Sequence, residues 1–176
     1  MTARPWSCSS TCWIASRPPA AYVETYDRGR RVASHSGLRR HMGTWGIGSF
    51  ENDHAADFMI DVLDSGDLSL IRDVLDNVLT STEYVEAPDA ELAIVAAEIV
   101  AAACGRSSLA AQQEAGLADW LARVRPAVDD ELREQAGNAL RRILAGHSEL
   151  RELWDETDDF KDWQATVTDL AQQLQP

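Results

Sequence analysis

The chain has 176 residues, with 29 acidic against 16 basic side chains and a net charge of −13. That balance excludes a general affinity for nucleic acid or for anionic membrane surfaces, because an acidic protein repels both polyanions. No stretch approaches the roughly 18 consecutive apolar residues of a membrane-spanning helix.

The three cysteines, Cys8, Cys12 and Cys104, are scattered and supply neither a disulfide framework nor a thiolate metal site. A reducing, cytoplasmic setting is the simplest expectation. Charge changes sign along the chain. Residues 1–41 carry seven arginines against Glu24 and Asp27, a net of +5, whereas residues 42–176 carry nine basic and 27 acidic groups, a net of −18. Such a change marks an appended tail. The basic stretch contains Pro5, Pro18 and Pro19 and shows no helix or strand periodicity, so it is expected to be a disordered arm. Its apolar clusters, such as Cys12–Ala15, are too short for a signal-peptide core. Three origins fit this composition: an upstream start codon translating non-native sequence, a true disordered arm, or an amphipathic targeting peptide. Residues 42–176 suit one acidic domain with a sizeable core.

In chain order, Phe58, Met59, Val62 and Leu63 recur at helical spacing after Asn52 and Asp53, two good capping types, and Ser65-Gly66 supplies the stop. Asp67 then caps a second helix with the stripe Leu68, Ile71, Val74, Leu75, Val78 and Leu79, ending near Ser81. Pro88 sits where a first helical turn accepts proline, and from Leu92 to Cys104 every residue except Glu98 is apolar. A helix apolar on all sides but too short for a membrane is a buried central helix, and Gly105 ends it. Leu117, Trp120, Leu121 and Val124 define a fourth helix that Pro126 terminates. A fifth carries Val128, Leu132, Ala136, Leu140, Ile143 and Leu144 and closes at Gly146. Ser148 caps a short helix with Leu150, Leu153 and Trp154. Thr157 or Asp158 opens the last, with Phe160, Trp163, Val167, Leu170 and Leu174. The only strand-like pieces, Tyr22-Val23 and Tyr84-Val85, are too short to form a sheet. The expected fold class is therefore all-α, a compact bundle of six or seven helices around a buried central helix.

The opening Met42-Gly43-Thr44-Trp45-Gly46, with Gly48, Phe50, Asn52 and Asp53 and the aspartate-rich helix after them, resembles the start of a bacterial family known as domain of unknown function 4259. The likeness continues through Tyr84–Pro88, the AAEIVAA run around Glu98 and the SELRELW segment Ser148–Trp154, and spans residues 42–176. Members of that family typically begin at the methionine corresponding to Met42, which favours a start-site artefact for the arm. The resemblance implies no established activity, cofactor or catalytic residue.

Several residues carry candidate chemistry. Gly43, Gly46 and Gly48 permit backbone angles that other residues resist and lead into a helix start, where amides can hold an anion. Their spacing matches neither a phosphate loop nor a dinucleotide fingerprint, and no strand precedes them. The favoured reading is a packing device, in which Trp45 plugs the core, the glycines let the chain fold back over it, and Asn52 or Asp53 caps the first helix. Asp53, Asp57 and Asp61 stack on one face of that helix with Asp64 close by. They form a docking face for a basic partner, a Ca²⁺ or Mg²⁺ site, a transition-metal site with His54, or simply a solvated face.

Glu98 is an ionisable group within an otherwise apolar helix, and burial forces it to find a donor. It is either a general acid or base, or a structural acceptor for the glycine-rich opening turn or a Trp indole, which locks the turn onto the central helix. The structural role is favoured, because no His, Ser or Cys pattern supplies a second catalytic group. Glu91 is expected at the exposed entrance of the same helix and His147 at a helix junction, and Trp120, Trp154 and Trp163 are expected in the core.

The sequence is best read as a non-enzymatic protein-binding module for a basic protein partner, in its most concrete form an immunity- or antitoxin-like neutralising protein. No cofactor, nucleic acid or membrane partner is implied. Two rivals stand beside it: a hydrolytic or metal-assisted enzyme using Glu98 with Asp53, Asp57 and Asp61, and a homo-oligomer joined through an exposed Trp or Leu patch.

Overall fold

The structure, a computed structural model, describes residues 46–175. The arm, residues 1–41, and the opening residues 42–45, which include Gly43 and Trp45, lie outside the described residues. Among the described residues the chain forms eight α-helices and no strand: α1 (Asp53–Asp64), α2 (Ser69–Thr80), α3 (Ala87–Ala103), α4 (Leu109–Gln113), α5 (Leu117–Val124), α6 (Asp130–Leu144), α7 (Glu149–Asp155) and α8 (Phe160–Gln173). None is long and apolar enough to cross a membrane.

The central helix is α3. Every residue from Ala90 to Ala102 is buried except Leu92, which is half-buried. A helix without a polar face must be covered on all sides, and α1, α2, α4, α6, α7 and α8 all pack against it. Its alanines are small enough to let those neighbours approach closely. Pro88 lies in its first turn, as the spacing predicts, and the Glu149 carboxylate from the start of α7 accepts the Ala87 N–H at 2.8 Å. Gly105 in the left-handed region (φ 75°) closes the helix, with Arg106 N donating to Ala101 O at 2.9 Å.

The other helices present apolar stripes to this axis. On α1 the buried set is Ala55, Phe58, Met59 and Val62; on α2 it is Ile71, Leu75 and Val78; on α6 it includes Leu132, Ala136, Leu140 and Ile143. Helix α6 also packs on α2 and α8, so it forms a second axis beside α3. The three tryptophans expected in the core are there: Trp120 donates its indole N–H to Ser65 O at 3.1 Å, and Trp154 and Trp163 stack with centroids 5.8 Å apart.

Details differ from the sequence expectation in identifiable ways. The eighth element, α4, has five residues and buries only Ala111, while Leu109 is 70 % exposed, so it carries no apolar stripe to read. Asp67 is not the cap of α2. It sits one residue before the cap Leu68, and its carboxylate accepts both the Ser69 N–H and the Ser69 hydroxyl, which hold its pKa below the ordinary value. Tyr84-Val85 makes one isolated parallel bridge, Val85 with Ser148, in which Val85 N donates to His147 O and Glu149 N donates to Val85 O. His147 does lie at the α6–α7 junction, where it takes the left-handed conformation (φ 66°) and Gly146 does not.

Glycine substitutions separate backbone need from spare room. Gly116 has φ 83°, and an added Cβ would lie 3.0 Å from Leu63 Cδ1, so Gly116→Ala is expected to lose about 1–2 kcal/mol in urea unfolding. Gly146, with nothing within 4 Å of an added Cβ, is expected to tolerate alanine to within about 0.5 kcal/mol.

Candidate functional site

The opening turn is held by a reciprocal pair of bonds. Glu51 N donates to Gly48 O at 3.0 Å, and the Glu51 carboxylate curls back to accept the Gly48 N–H at 2.9 Å. Gly48 does not adopt a left-handed backbone, so conformational freedom is not why glycine stands there. The reason is space: an added Cβ would lie 2.0 Å from Glu51 Oε2 at Gly46 and 2.9 Å from it at Gly48. Asn52, rather than Asp53, caps α1, accepting the Ala55 N–H on Oδ1 at 2.7 Å, and Asp53 begins the helix.

Glu98 is 2 % exposed, midway along α3. The Ser49 hydroxyl of the opening turn donates to its Oε1 at 2.8 Å. Oε2 makes no hydrogen bond, although the Ser108 hydroxyl, from the link between α3 and α4, also acts on the carboxyl. Burial pushes the Glu98 pKa above the ordinary glutamate range, and the Ser108 and Ser49 hydroxyls pull it partly back. The opening turn thus supplies a donor to the central helix, whereas the Trp120 indole is engaged with Ser65 instead. Ser49 and Ser108 were not singled out in the sequence. A buried carboxyl's need for a donor pointed to the turn but not to a particular hydroxyl.

Glu91 is not at an exposed entrance. It is 5 % exposed, and its Oε2 lies 2.7 Å from His54 Nδ1 at the start of α1. The helix entry is shielded there because α1 crosses it. Between the opening turn and α3, α7 and α8 lies a narrow crevice lined by Gly46, Gly48, Ser49, Asn52, Glu91 and Trp154, among others, with a void of about 20 Å³. A water needs roughly 10–15 Å³ and a small-molecule site roughly 300–1,000 Å³, so the crevice admits water and little else.

Asp53, Asp57, Asp61 and Asp64 are all exposed on the outward side of α1, while Glu98 faces the interior. The convergence of carboxylates that a hydrolytic or metal-assisted reading requires is not formed. No group of three or more His, Cys, Asp or Glu among the described residues is placed to hold a metal ion. On the same helix Ile60 is 66 % exposed, and α1 contains no basic residue other than His54. The Arg123 guanidinium from α5 reaches the Leu63 carbonyl at 2.6 Å, placing positive charge at the C-terminal end of α1.

The pH dependence follows from the raised Glu98 pKa. Between the unfolded value of about 4.3 and the folded one, the native state binds the extra proton, so stability falls as pH rises through that window. Glu98→Gln removes this term. Relative to the variant, the wild type is expected to lose up to about 1.4 kcal/mol per pH unit across the window and nothing further above it, as read by chemical denaturation from pH 4 to 8. A constant offset between the two proteins leaves this slope untouched. In the opening turn, Gly46→Ala must displace only the flexible end of Glu51 and is expected to cost about 1 kcal/mol or less.

Comparison with known proteins adds one match. No curated protein and no solved structure matches the chain. The family described as Domain of unknown function (DUF4259) matches residues 43–166, from the opening glycine to a point within α8. With most of its length covered, including the opening turn, the buried Glu98 and the aspartates of α1, the chain belongs to that family.

Proposed function

We propose that the domain is a protein-binding module whose partner presents a basic surface. The observation that carries this reading is the large excess of exposed carboxylates without basic partners. Residues 42–176 hold 27 acidic and nine basic groups. Among the described residues arginine–carboxylate pairs form only at Arg72–Asp129 and Arg133–Asp130. The outward face of α1 adds like charges at helical spacing, which destabilise the isolated helix by a few tenths of a kcal/mol per pair, around an exposed isoleucine. A basic partner relieves that repulsion and covers Ile60. Such a field also steers cationic proteins toward the domain while repelling nucleic acid.

In its most concrete form this is an immunity- or antitoxin-like protein of the cytoplasm that covers the cationic active site of a nucleic-acid-binding protein. That version is supported by charge alone. The full chain immobilised in about 50 mM salt is expected to retain a basic protein from extract of its own source, and to hold it about tenfold less tightly at 300 mM. Replacing Asp53, Asp57, Asp61 and Asp64 together by Asn is expected to weaken capture to a similar degree. Retention of no basic protein at either salt concentration would sink the reading.

A further inference from the structure

We propose that Glu98 is a protonation-controlled clasp: neutral, it holds the opening turn (residues 46–52) to the central helix, and its ionisation lets the opening turn lift away. Three features of the geometry support this. The carboxyl joins segments far apart in sequence, accepting the hydroxyl of Ser49 in the turn at 2.8 Å. It is 2 % exposed, and its Oε2 makes no hydrogen bond, so an added negative charge has only hydroxyls to meet it. The turn also lies outside the helices, and a crevice of about 20 Å³ lined by its Ser49 is wide enough to admit water.

Among the described residues no cation is placed to neutralise the anion. Arg106, in the α3–α4 link, gives its guanidinium to the carbonyls of Gln173 and Gln175 at the end of α8. Glu51 on the turn is committed to the Gly48 N–H, and Glu91, two helical turns before Glu98, lies against His54 at the start of α1. Asp53 is exposed, Glu114 after α4 is half-buried, and no charged side chain of a neighbouring helix is among the groups that shift Glu98. A buried anion in this position is costly, and opening the turn exchanges that cost for hydration. In the opened form Glu98 is solvated and binds its proton less tightly. The opening equilibrium therefore rises with pH until the closed form is itself ionised, and is level above that point.

Amide hydrogen exchange on the full chain from pH 5 to 8, corrected for intrinsic rates, tests the clasp. The opening constant for Ile47–Glu51 is expected to climb by up to about tenfold per pH unit and then level off, while the α3 amides Val95–Ala102 do not follow. In Glu98→Gln the opening constant is expected to stay flat. Should that variant not fold, Ser49→Ala keeps the carboxyl and removes one tie. It is expected to raise opening about fivefold at pH 5, as loss of a hydrogen bond worth about a kcal/mol implies.

Histidine as a class changes charge over the same range, so His54→Gln is the control. A pH rise that survives His54→Gln supports the clasp. A rise that vanishes there but persists in Glu98→Gln overturns it, as do an opening turn indifferent to Ser49→Ala and a parallel rise in the α3 amides.

Discussion

The fold depends on one constraint: α3 has no face that tolerates water. A typical surface helix of a globular protein turns one stripe inward and leaves the rest solvated. Residues Ala90–Ala102, with buried side chains all around the helix, need neighbours on every side, and six of the other seven helices supply them. The alanine content of α3 sets the spacing, since close approach of helix axes is possible only where side chains are small. The single ionisable group in its middle is tolerated because the opening turn brings a hydroxyl to it, so the enclosure of α3 and the docking of the turn are one problem with one solution.

Around that axis, side chains from distant segments complete helix ends that lack local partners. Glu149 satisfies the first amide of α3, Arg123 reaches the last turn of α1, and Trp120 reaches the carbonyl just beyond it. Each of these contacts spans more than fifty residues of sequence, so helix ends and tertiary packing are set together. Most of the acidity of the described residues lies outside this arrangement, on outward faces and helix starts.

Much of the fold was legible because apolar spacing survives in each long helix. The stripes of α1, α2, α6 and α8 correspond to the buried residues, and the featureless run from Leu92 to Cys104 marked α3 through its lack of a polar face. Helix α4 was not legible, since five residues with one buried alanine carry no periodicity. The site was legible in outline only. Glu98 stood out as a charge in an apolar run, and the glycine-rich turn stood out as its neighbour. The role of Gly48 was misread, because clearance for the Glu51 side chain leaves no mark in the composition that differs from backbone freedom. Glu91 was misread for a related reason: nothing in its position on α3 shows that α1 crosses the helix entry and brings His54 against it.

The arrangement of α6 has a consequence for how the chain holds together once its backbone is cut. This helix follows the α5–α6 connection yet packs on α2 and α3 that precede it, and the bridge between Val85 and Ser148 ties the two parts again. In the connection from α5 to α6, Val128 packs on the core and Asp129 pairs with Arg72 of α2, whereas Arg125 and Ala127 are exposed. A nick there severs one covalent link and leaves the interlocked surfaces intact. Two fragments divided at that point are complementary pieces, each lacking the cover that the other provides.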